Sequence, residues 1–301
     1  MSENNSVTHR FGQVALLGRP NVGKSTLLNS LIGTPLSIVS PKPQTTRHRI
    51  LGIATLDDAQ IAFLDTPGLH LGGKRAMNRQ LNRVARQVPD EADVIVHVIA
   101  APRWTDEDEQ VWQLVSRHAA PRLLAINKID RFKDKSDLLP FVARITGERE
   151  YAGVHYLRAT HGQGNDALLR DVVARLPLAE RRYEEDEVTD RSERFLAAEM
   201  IREQLMLRLN EELPYATSVE IEKFEQDGGL ARIAAAIWVE RDGQKAIVVG
   251  AGGAQLKAIG TAARKRMEHL LGCRVFLELW VKVRENWSDD EASLRQFGYS
   301  D

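Results

Sequence analysis

The 301-residue chain has a single cysteine, Cys273, which excludes an internal disulfide and fits a reducing compartment. Its apolar neighbours Val275 and Phe276 suit a buried filler better than a reactive thiol. Neither charge is in excess. Lys and Arg number 41 against 42 Asp and Glu, a formal net charge of −1, so any nucleic-acid contact needs a local basic surface. Long apolar runs are also lacking. Val94 to Ala101, interrupted by His97, is far too short to cross a bilayer. Met1 to Arg10 is polar, without the apolar core of a secretory signal, and is expected to be a disordered tail. These absences lead to the expectation of a cytoplasmic protein. The 43% hydrophobic content supports a sizeable core, and the length suggests two domains.

The most informative stretch is Gly18-Arg19-Pro20-Asn21-Val22-Gly23-Lys24-Ser25, which fits the phosphate-loop pattern G-x-x-x-x-G-K-[ST] at every specified position. The apolar run Val14 to Leu17 precedes it, and a leucine-rich stretch from Thr26 to Ile32 follows. A buried strand therefore enters the loop and a helix leaves it. Glycines let backbone N–H groups close around phosphate oxygens, and the helix N-terminus adds its partial positive charge. Lys24 brings a point charge to the outer phosphates, and the Ser25 hydroxyl suits Mg²⁺. By chance such a match arises in about one chain in a hundred.

After the helix, Gly33 reads as its C-cap and Leu36 to Val39 as a short edge strand. Ser40 to His48 carries two prolines and two threonines, in a loop suited to wrap a γ-phosphate or simply to cover surface. Ile50 to Thr55 and Gln60 to Leu64 read as a hairpin ending in Asp65-Thr66-Pro67-Gly68. There Asp65 is placed to hold Mg²⁺ through water and Gly68 to present its N–H to the γ-phosphate. Asp93 to Ala100 and Leu123 to Ile126 read as further strands, with a helix from Glu107 to Ala119 between them. The second strand ends in Asn127-Lys128-Ile129-Asp130. A carboxylate at Asp130 accepts from both guanine N1–H and the N2 amine, a donor pair that adenine lacks. Asn127 can brace the loop, and the Lys128 stem can lie over the ring. Val154 to Ala159 and the helix Asn165 to Leu176 complete an alternation of strands and helices. This argues for a mostly parallel sheet with helices on both faces and a ligand at the strands' carboxyl ends.

The acidic run Glu184 to Glu187 marks residues 179–190 as a linker. A long amphipathic helix from Arg191 to Asn210 opens the second half. Strands follow at Ile233 to Glu240 and Lys245 to Val249, about an Asp242-Gly243 turn. Gly250-Ala251-Gly252-Gly253 then leads into a helix from Ala254 to Leu271 that carries Lys257, Arg264, Lys265 and Arg266. A G-x-x-G at a helix entry is the loop with which a KH domain grips a nucleic-acid backbone. The last strand, Arg274 to Val283, runs into Lys282, Arg284 and Trp287, where charge and an aromatic ring are expected to meet RNA.

Three stretches resemble the Era family of GTPases: the phosphate loop, Gln44-Thr45-Thr46-Arg47, and Thr189-Asp190-Arg191-Ser192 with Arg194-Phe195. The resemblance covers about Phe11 to Tyr299. It implies a P-loop GTPase domain of α/β class at 11–178, the linker at 179–190, and an α+β type II KH domain at 191–301. It further implies a Mg²⁺-dependent switch that hydrolyses GTP, binds 16S ribosomal RNA near its 3′ end and acts in 30S subunit assembly. A monomer is expected, in contact at most transiently with the inner membrane surface. Thr46 is the matching switch ligand for Mg²⁺, with Thr45 the alternative. Lys24, Thr46, Gly68 and Asn21 are assigned to catalysis. Where the family's base-backing loop ends in Ser-Ala, this chain reads Arg158-Ala159; the resemblance implies that the Ala159 N–H contacts the guanine oxygen.

Many GTPases place a water-orienting Gln directly after D-x-x-G; here the position is Leu69, followed by His70. Slow intrinsic turnover is expected. In related GTPases with an apolar residue here, K⁺ sits beside the phosphates on an Asn that matches Asn21, with Arg47 and Arg49 as alternative charge donors. Two rival readings remain on the residues alone: an ATPase or kinase on the same loop, and a guanine-nucleotide-gated RNA scaffold without turnover.

Overall fold

The structure, a computed structural model, describes residues 9–68, 76–210 and 212–299. Its contacts divide the chain into two units. The first takes in the described residues of Met1–Ser37, Thr46–Gly72 and Leu81–Asp190; the second those of Ile38–Thr45, Gly73–Gln80 and Arg191–Asp301.

In the first unit β1 (Arg10–Leu17) enters the phosphate loop and α1 (Lys24–Ile32) leaves it. Then come β2 (Ile50–Thr55), β3 (Ala59–Asp65), and α2 (Ala76–Gln87), which belongs to this unit from Leu81 on. β4 (Val94–Ala100), α3 (Asp106–Val115), β5 (Arg122–Asn127), α4 (Leu138–Thr146), β6 (Gly153–Leu157) and α5 (Asn165–Val173) complete it. The sheet order is β2-β3-β1-β4-β5-β6, parallel except for the β2–β3 pair. Strands covered on both faces have no polar side, which is why Val14 to Leu17 of β1, Leu123 to Ile126 of β5 and all of β4 but His97 are apolar. Register aligns Leu16 with Asp65 and Ala100 with Asn127, so the chemistry-bearing strand ends fall on one edge of the layer.

Several expectations shift here. Arg10 is already strand rather than tail. Leu36 to Val39 forms no strand, because the Asn29 side chain satisfies Ser37 from both sides. Its Nδ2 donates to the Ser37 carbonyl at 2.8 Å, and its Oδ1 accepts from the Ser37 N–H at 2.9 Å. Residues 179–190 lie with the first unit as a fitted strap rather than a free linker. The Gln60 carboxamide, 0% exposed, accepts from the N–H groups of Arg182 and Tyr183 and donates to the Tyr183 carbonyl. The Val188 carbonyl accepts from the Ile53 N–H, and the Thr189 hydroxyl donates to the Leu51 carbonyl.

The second unit runs α6 (Glu193–Arg208), β7 (Ser218–Asp227), β8 (Leu230–Val239), α7 (Asp242–Val249), α8 (Ala254–Leu271), β9 (Arg274–Val283) and α9 (Glu291–Gln296). β8 pairs antiparallel with β7 and parallel with β9. Ile201 and Leu205 of α6 join Ile259, Ala263 and Met267 of α8 in one core with the inward residues of the sheet. The Ile38–Thr45 segment belongs with this unit. Lys42 Nζ donates to the carbonyls of Met206 and Leu209, capping α6 where its dipole favours a cation, and buried Arg202 donates to the Thr45 carbonyl at 2.6 Å.

The expected strand at Lys245 to Val249 is the helix α7 instead. Its β-branched residues suggested extension, but the Gln244 side chain accepts from the Glu240 N–H at 2.8 Å, and Val248 alone is driven fully into the core. Tertiary burial outweighs propensity. No single helix among the described residues is long and apolar enough to cross a membrane.

Candidate functional site

The phosphate loop closes tightly on its own backbone. Gly23 has φ 103°, and a Cβ there would lie 2.3 Å from Asn127 Nδ2, so only glycine fits. Lys24 is 6% exposed and donates to the carbonyls of Gly18 at 2.9 Å and Arg19 at 3.1 Å. Burial pushes its ammonium down to about 8, with Asp65 pulling the other way. Gly68 packs so closely on the loop that a Cβ would lie 2.8 Å from the Pro20 nitrogen.

Three hydroxyl side chains from separate stretches meet at Asp65. Its Oδ2 accepts from Ser25 at 2.7 Å, Ser37 at 2.8 Å and Thr46 at 3.5 Å, and Ser25 and Thr46 share a hydrogen bond of 2.9 Å. Asp65 Oδ1 is buried with no hydrogen-bond partner among the described residues, and burial pushes the carboxyl upward against the pull of Lys24 and its hydroxyl donors. A hard divalent cation suits Ser25, Thr46 and Asp65: two of the three hydroxyls and a carboxylate with an acceptor to spare. Thr46, not Thr45, joins the cluster. The Thr45 hydroxyl bonds instead to Ser40 and to the Lys42 carbonyl. Thr66 is buried and bonds back to the Leu16 carbonyl at 3.1 Å.

Asn127 joins the loops. Its Nδ2 donates to the Val22 carbonyl at 2.9 Å, while its Oδ1 accepts from the N–H groups of Lys128 at 2.8 Å and Ala159 at 3.1 Å. Lys128, at φ 60°, sends Nζ to the Asn21 carbonyl at 2.5 Å and so lies along the phosphate loop. Asp130 stands half-exposed in the turn Ile129–Arg131, free of the core and near Arg158. The structure therefore brings together Gly18 to Ser25, Thr46, Asp65, Gly68, Asn127 to Asp130 and Ala159, although the Ala159 N–H expected to meet the guanine oxygen here donates to Asn127 instead. Leu69 and His70 lie outside the described residues.

Three supports went unread in the sequence. Ser37 donates to Asp65, Arg158 faces Asp130, and Asp108 anchors Arg19. Only the last had a local signal. Thr105 and Asp108 form a capping box at the start of α3, and the Asp108 carboxylate that closes it also takes Arg19.

In the second unit Gly250, Gly252 and Gly253 all have positive φ, at 71°, 56° and 80°, and Ala251 and Gly252 are exposed. The loop joins two helices and borders a cavity of about 580 Å³ lined by Arg208, Asn210, Ile247, Ala254 and Gln255. Lys257 is exposed on the first turn of α8. Other expected RNA contacts are engaged internally: Arg264 with Glu268, Arg266 with Glu203, Lys282 with Glu222, and Arg284 with Gln296 and Asp290. Trp287 is a correction. It is 0% exposed, donates to the Ala216 carbonyl at 3.2 Å and packs edge-on to Phe297, so its ring has no face to offer a base.

Comparison with known proteins agrees with both halves. Residues 13–128 match the family model for a 50S ribosome-binding GTPase, and residues 212–288 match that for a KH domain. The GTPase Era of Xanthomonas oryzae pv. oryzae is 57% identical over 98% of each chain. That of Stenotrophomonas maltophilia is 57% identical over 97% of this chain and 98% of its own. A crystal structure of Era in complex with MgGDPNP and nucleotides 1506–1542 of 16S ribosomal RNA superposes with a TM-score of 0.94 at 38% identity, covering 97% of this chain and 99% of the other. A point variant of Aquifex aeolicus Era bound to GDP·AlF4⁻ gives 0.93 at 38% identity, with the same coverage. With a phosphate loop, a hydroxyl–carboxylate cluster and a base loop on one sheet edge, and a KH unit after it, the chain belongs to the Era family of GTPases, which hydrolyse GTP.

Proposed function

We propose that the first unit binds GTP and GDP with Mg²⁺, and that the second binds 16S ribosomal RNA near its 3′ end during assembly of the 30S subunit. The observation that carries the nucleotide half is the meeting of Ser25, Thr46 and Asp65 in one hydrogen-bonded cluster. These three residues would hold Mg²⁺, which when bound neutralises charge on the phosphoryl oxygens. Lys24 supplies a fixed positive charge to the outer phosphates, and the Gly68 N–H faces the γ-phosphate. Thr46 then makes loop order depend on the third phosphate. Hydrolysis is the family's reaction, so the reading of a scaffold without turnover falls away.

The RNA half draws on the relative crystallised with a 16S fragment, which matches this chain nearly end to end. The match to a 50S ribosome-binding GTPase covers residues 13–128 and does not reach the KH region at 212–288. The glycine loop with Ala251 and Gly252 exposed supports backbone contact with RNA, and Lys257 adds charge beside it. With Leu69 unable to orient a water, the exposed Asn21 side chain would hold K⁺, which would supply charge that an arginine finger provides elsewhere. The protein works as a monomer in the cytoplasm, touching the membrane surface transiently.

Crosslinking in cells followed by sequencing of the bound RNA tests the partner. Reads are expected at the 3′ end of 16S ribosomal RNA and are lost in Gly250→Asp; reads without enrichment there overturn it. Excess ATP should leave bound GTP in place. Turnover should be faster in KCl than in NaCl, a difference that Asn21→Ala removes; equal rates in the two salts would sink the K⁺ assignment.

A further inference from the structure

We propose that Arg158 is a positioning residue for base recognition, holding the Asp130 carboxylate in the orientation that meets the guanine N1–H and N2 amine. The proposal rests on the reading of Asp130 as the base-recognising carboxylate.

Its backbone is fixed on both sides. The Arg158 N–H donates to the Gln163 carbonyl at 3.1 Å, and the next residue, Ala159, donates to Asn127 Oδ1 at 3.1 Å. The guanidinium therefore starts from a point tied to the same asparagine that joins the phosphate and base loops. It extends toward Asp130, with Arg158 Nε 3.9 Å from Asp130 Oδ1. That Nε is buried and has no hydrogen-bond partner among the described residues, although the side chain as a whole is 39% exposed. A buried N–H without an acceptor is costly, and the Asp130 carboxylate, 3.9 Å away, is an acceptor toward which it is drawn.

Asp130 needs such a neighbour. Its side chain is 47% exposed in a short turn, and an aspartate so placed rotates among several orientations. Only one presents both oxygens to paired donors on a purine edge. A carboxylate offers about four lone-pair directions, so guanine can take one on each oxygen while Nε takes an outer one. At 3.9 Å the carboxylate is not consumed by the arginine, as it would be in a bidentate pair. The pair thus orients Asp130 without competing with the base. The serine that stands here in the family's pattern offers a short neutral hydroxyl; Arg158 offers a longer, charged donor.

Equilibrium binding of GDP and of inosine diphosphate, which lacks the exocyclic amine, tests the proposal on the full-length protein and on Arg158→Ala, Arg158→Lys, Asp130→Ala and the double variant. Arg158→Ala is expected to weaken GDP by roughly threefold to tenfold and inosine diphosphate by less, narrowing discrimination between them. Arg158→Lys should recover part of the loss, and in the Asp130→Ala background Arg158→Ala should change nothing further. Equal weakening of both nucleotides, tighter GDP binding, or an undiminished effect without Asp130 would each overturn the role of Arg158. If Asp130→Ala itself leaves GDP affinity and discrimination unchanged, the underlying reading of Asp130 fails instead. Arg158→Gln repeats the measurement should the alanine variant melt early.

Discussion

Asp108, fully buried at the start of α3, accepts from Arg19 Nε at 3.0 Å and so fastens the phosphate loop to a helix 89 residues away in sequence. The same oxygen accepts from the Thr105 N–H and hydroxyl, both at 2.9 Å, so one carboxylate serves as helix cap and loop anchor.

Removing it should therefore cost stability and affinity together. Asp108→Ala strands Arg19 and the Thr105 donors and is expected to destabilise the first unit by roughly 3 kcal/mol. Asp108→Asn keeps an acceptor oxygen and should cost about 1 kcal/mol. Urea denaturation gives both values, and GDP affinity should fall in the same order. An alanine variant that unfolds with the parent would show that the contact anchors nothing.

Lys24 makes nucleotide binding depend on pH. Its ammonium is held down at about 8, and an adjacent phosphate anion favours the charged form. Below pH 8 the group is charged with or without nucleotide, so binding there moves no proton. Above it, binding takes one up, and GDP affinity falls as pH rises. Since the folded value lies below the ordinary 10.5, stability without nucleotide should rise between pH 8 and 10.5. Calorimetric titration in buffers of different ionisation heat should show nearly one proton bound at about pH 9 and almost none at about pH 7. In Lys24→Met the uptake should vanish.

A second buried base sets the acid limit. His97, in the middle of the sheet, is 0% exposed and shares a 2.8 Å hydrogen bond with the Tyr151 hydroxyl; burial pushes its imidazole down to about 3. The unfolded chain binds this proton near the ordinary 6.5 and the folded one does not, so stability falls as pH drops from 6.5 toward 3. The loss at pH 5 should be about 2 kcal/mol from this residue. Denaturation midpoints at the two pH values measure it, and His97→Gln should flatten the profile.

Trp287 separates packing from recognition. Trp287→Phe loses the bond to the Ala216 carbonyl, about 1 kcal/mol, yet keeps most of the packing on Phe297 and Tyr299. It should bind RNA as the parent does. Trp287→Ala should cost about 3–5 kcal/mol in the second unit. Loss of RNA affinity in the phenylalanine variant while the second unit stays folded would restore the ring as an RNA contact.

These residues also mark where sequence reading reaches its limit. Gly18 to Ser25, Asp65 to Gly68 and Asn127 to Asp130 were legible because each motif is contiguous and each ends a strand whose apolar run announces it. The α7 helix was not, since Ile247-Val248-Val249 has the composition of a strand and only the burial of Val248 and the Gln244 bond decide otherwise. Arg284 and Lys282 were correctly placed at the end of β9, but their partners Asp290 and Glu222 lie on separate elements that no local pattern connects. Trp287 failed for the same reason. An aromatic after basic residues looks like a stacking platform until the chain beyond it, Phe297 and Tyr299, folds back over the ring.

The fitted strap at 179–190 has a consequence for aggregation. β2 is an outer strand of the six-stranded sheet, and an outer strand with unpaired N–H and C=O groups is a template for another molecule's backbone. Val188 and Thr189 already occupy the Ile53 N–H and the Leu51 carbonyl. The acidic run just before them places like charges near that margin. A fragment cut at residue 178 would uncover the edge and strand the Gln60 carboxamide in the core, whereas one cut at 190 would keep both covered. The shorter piece should self-associate at concentrations where the longer one stays dispersed.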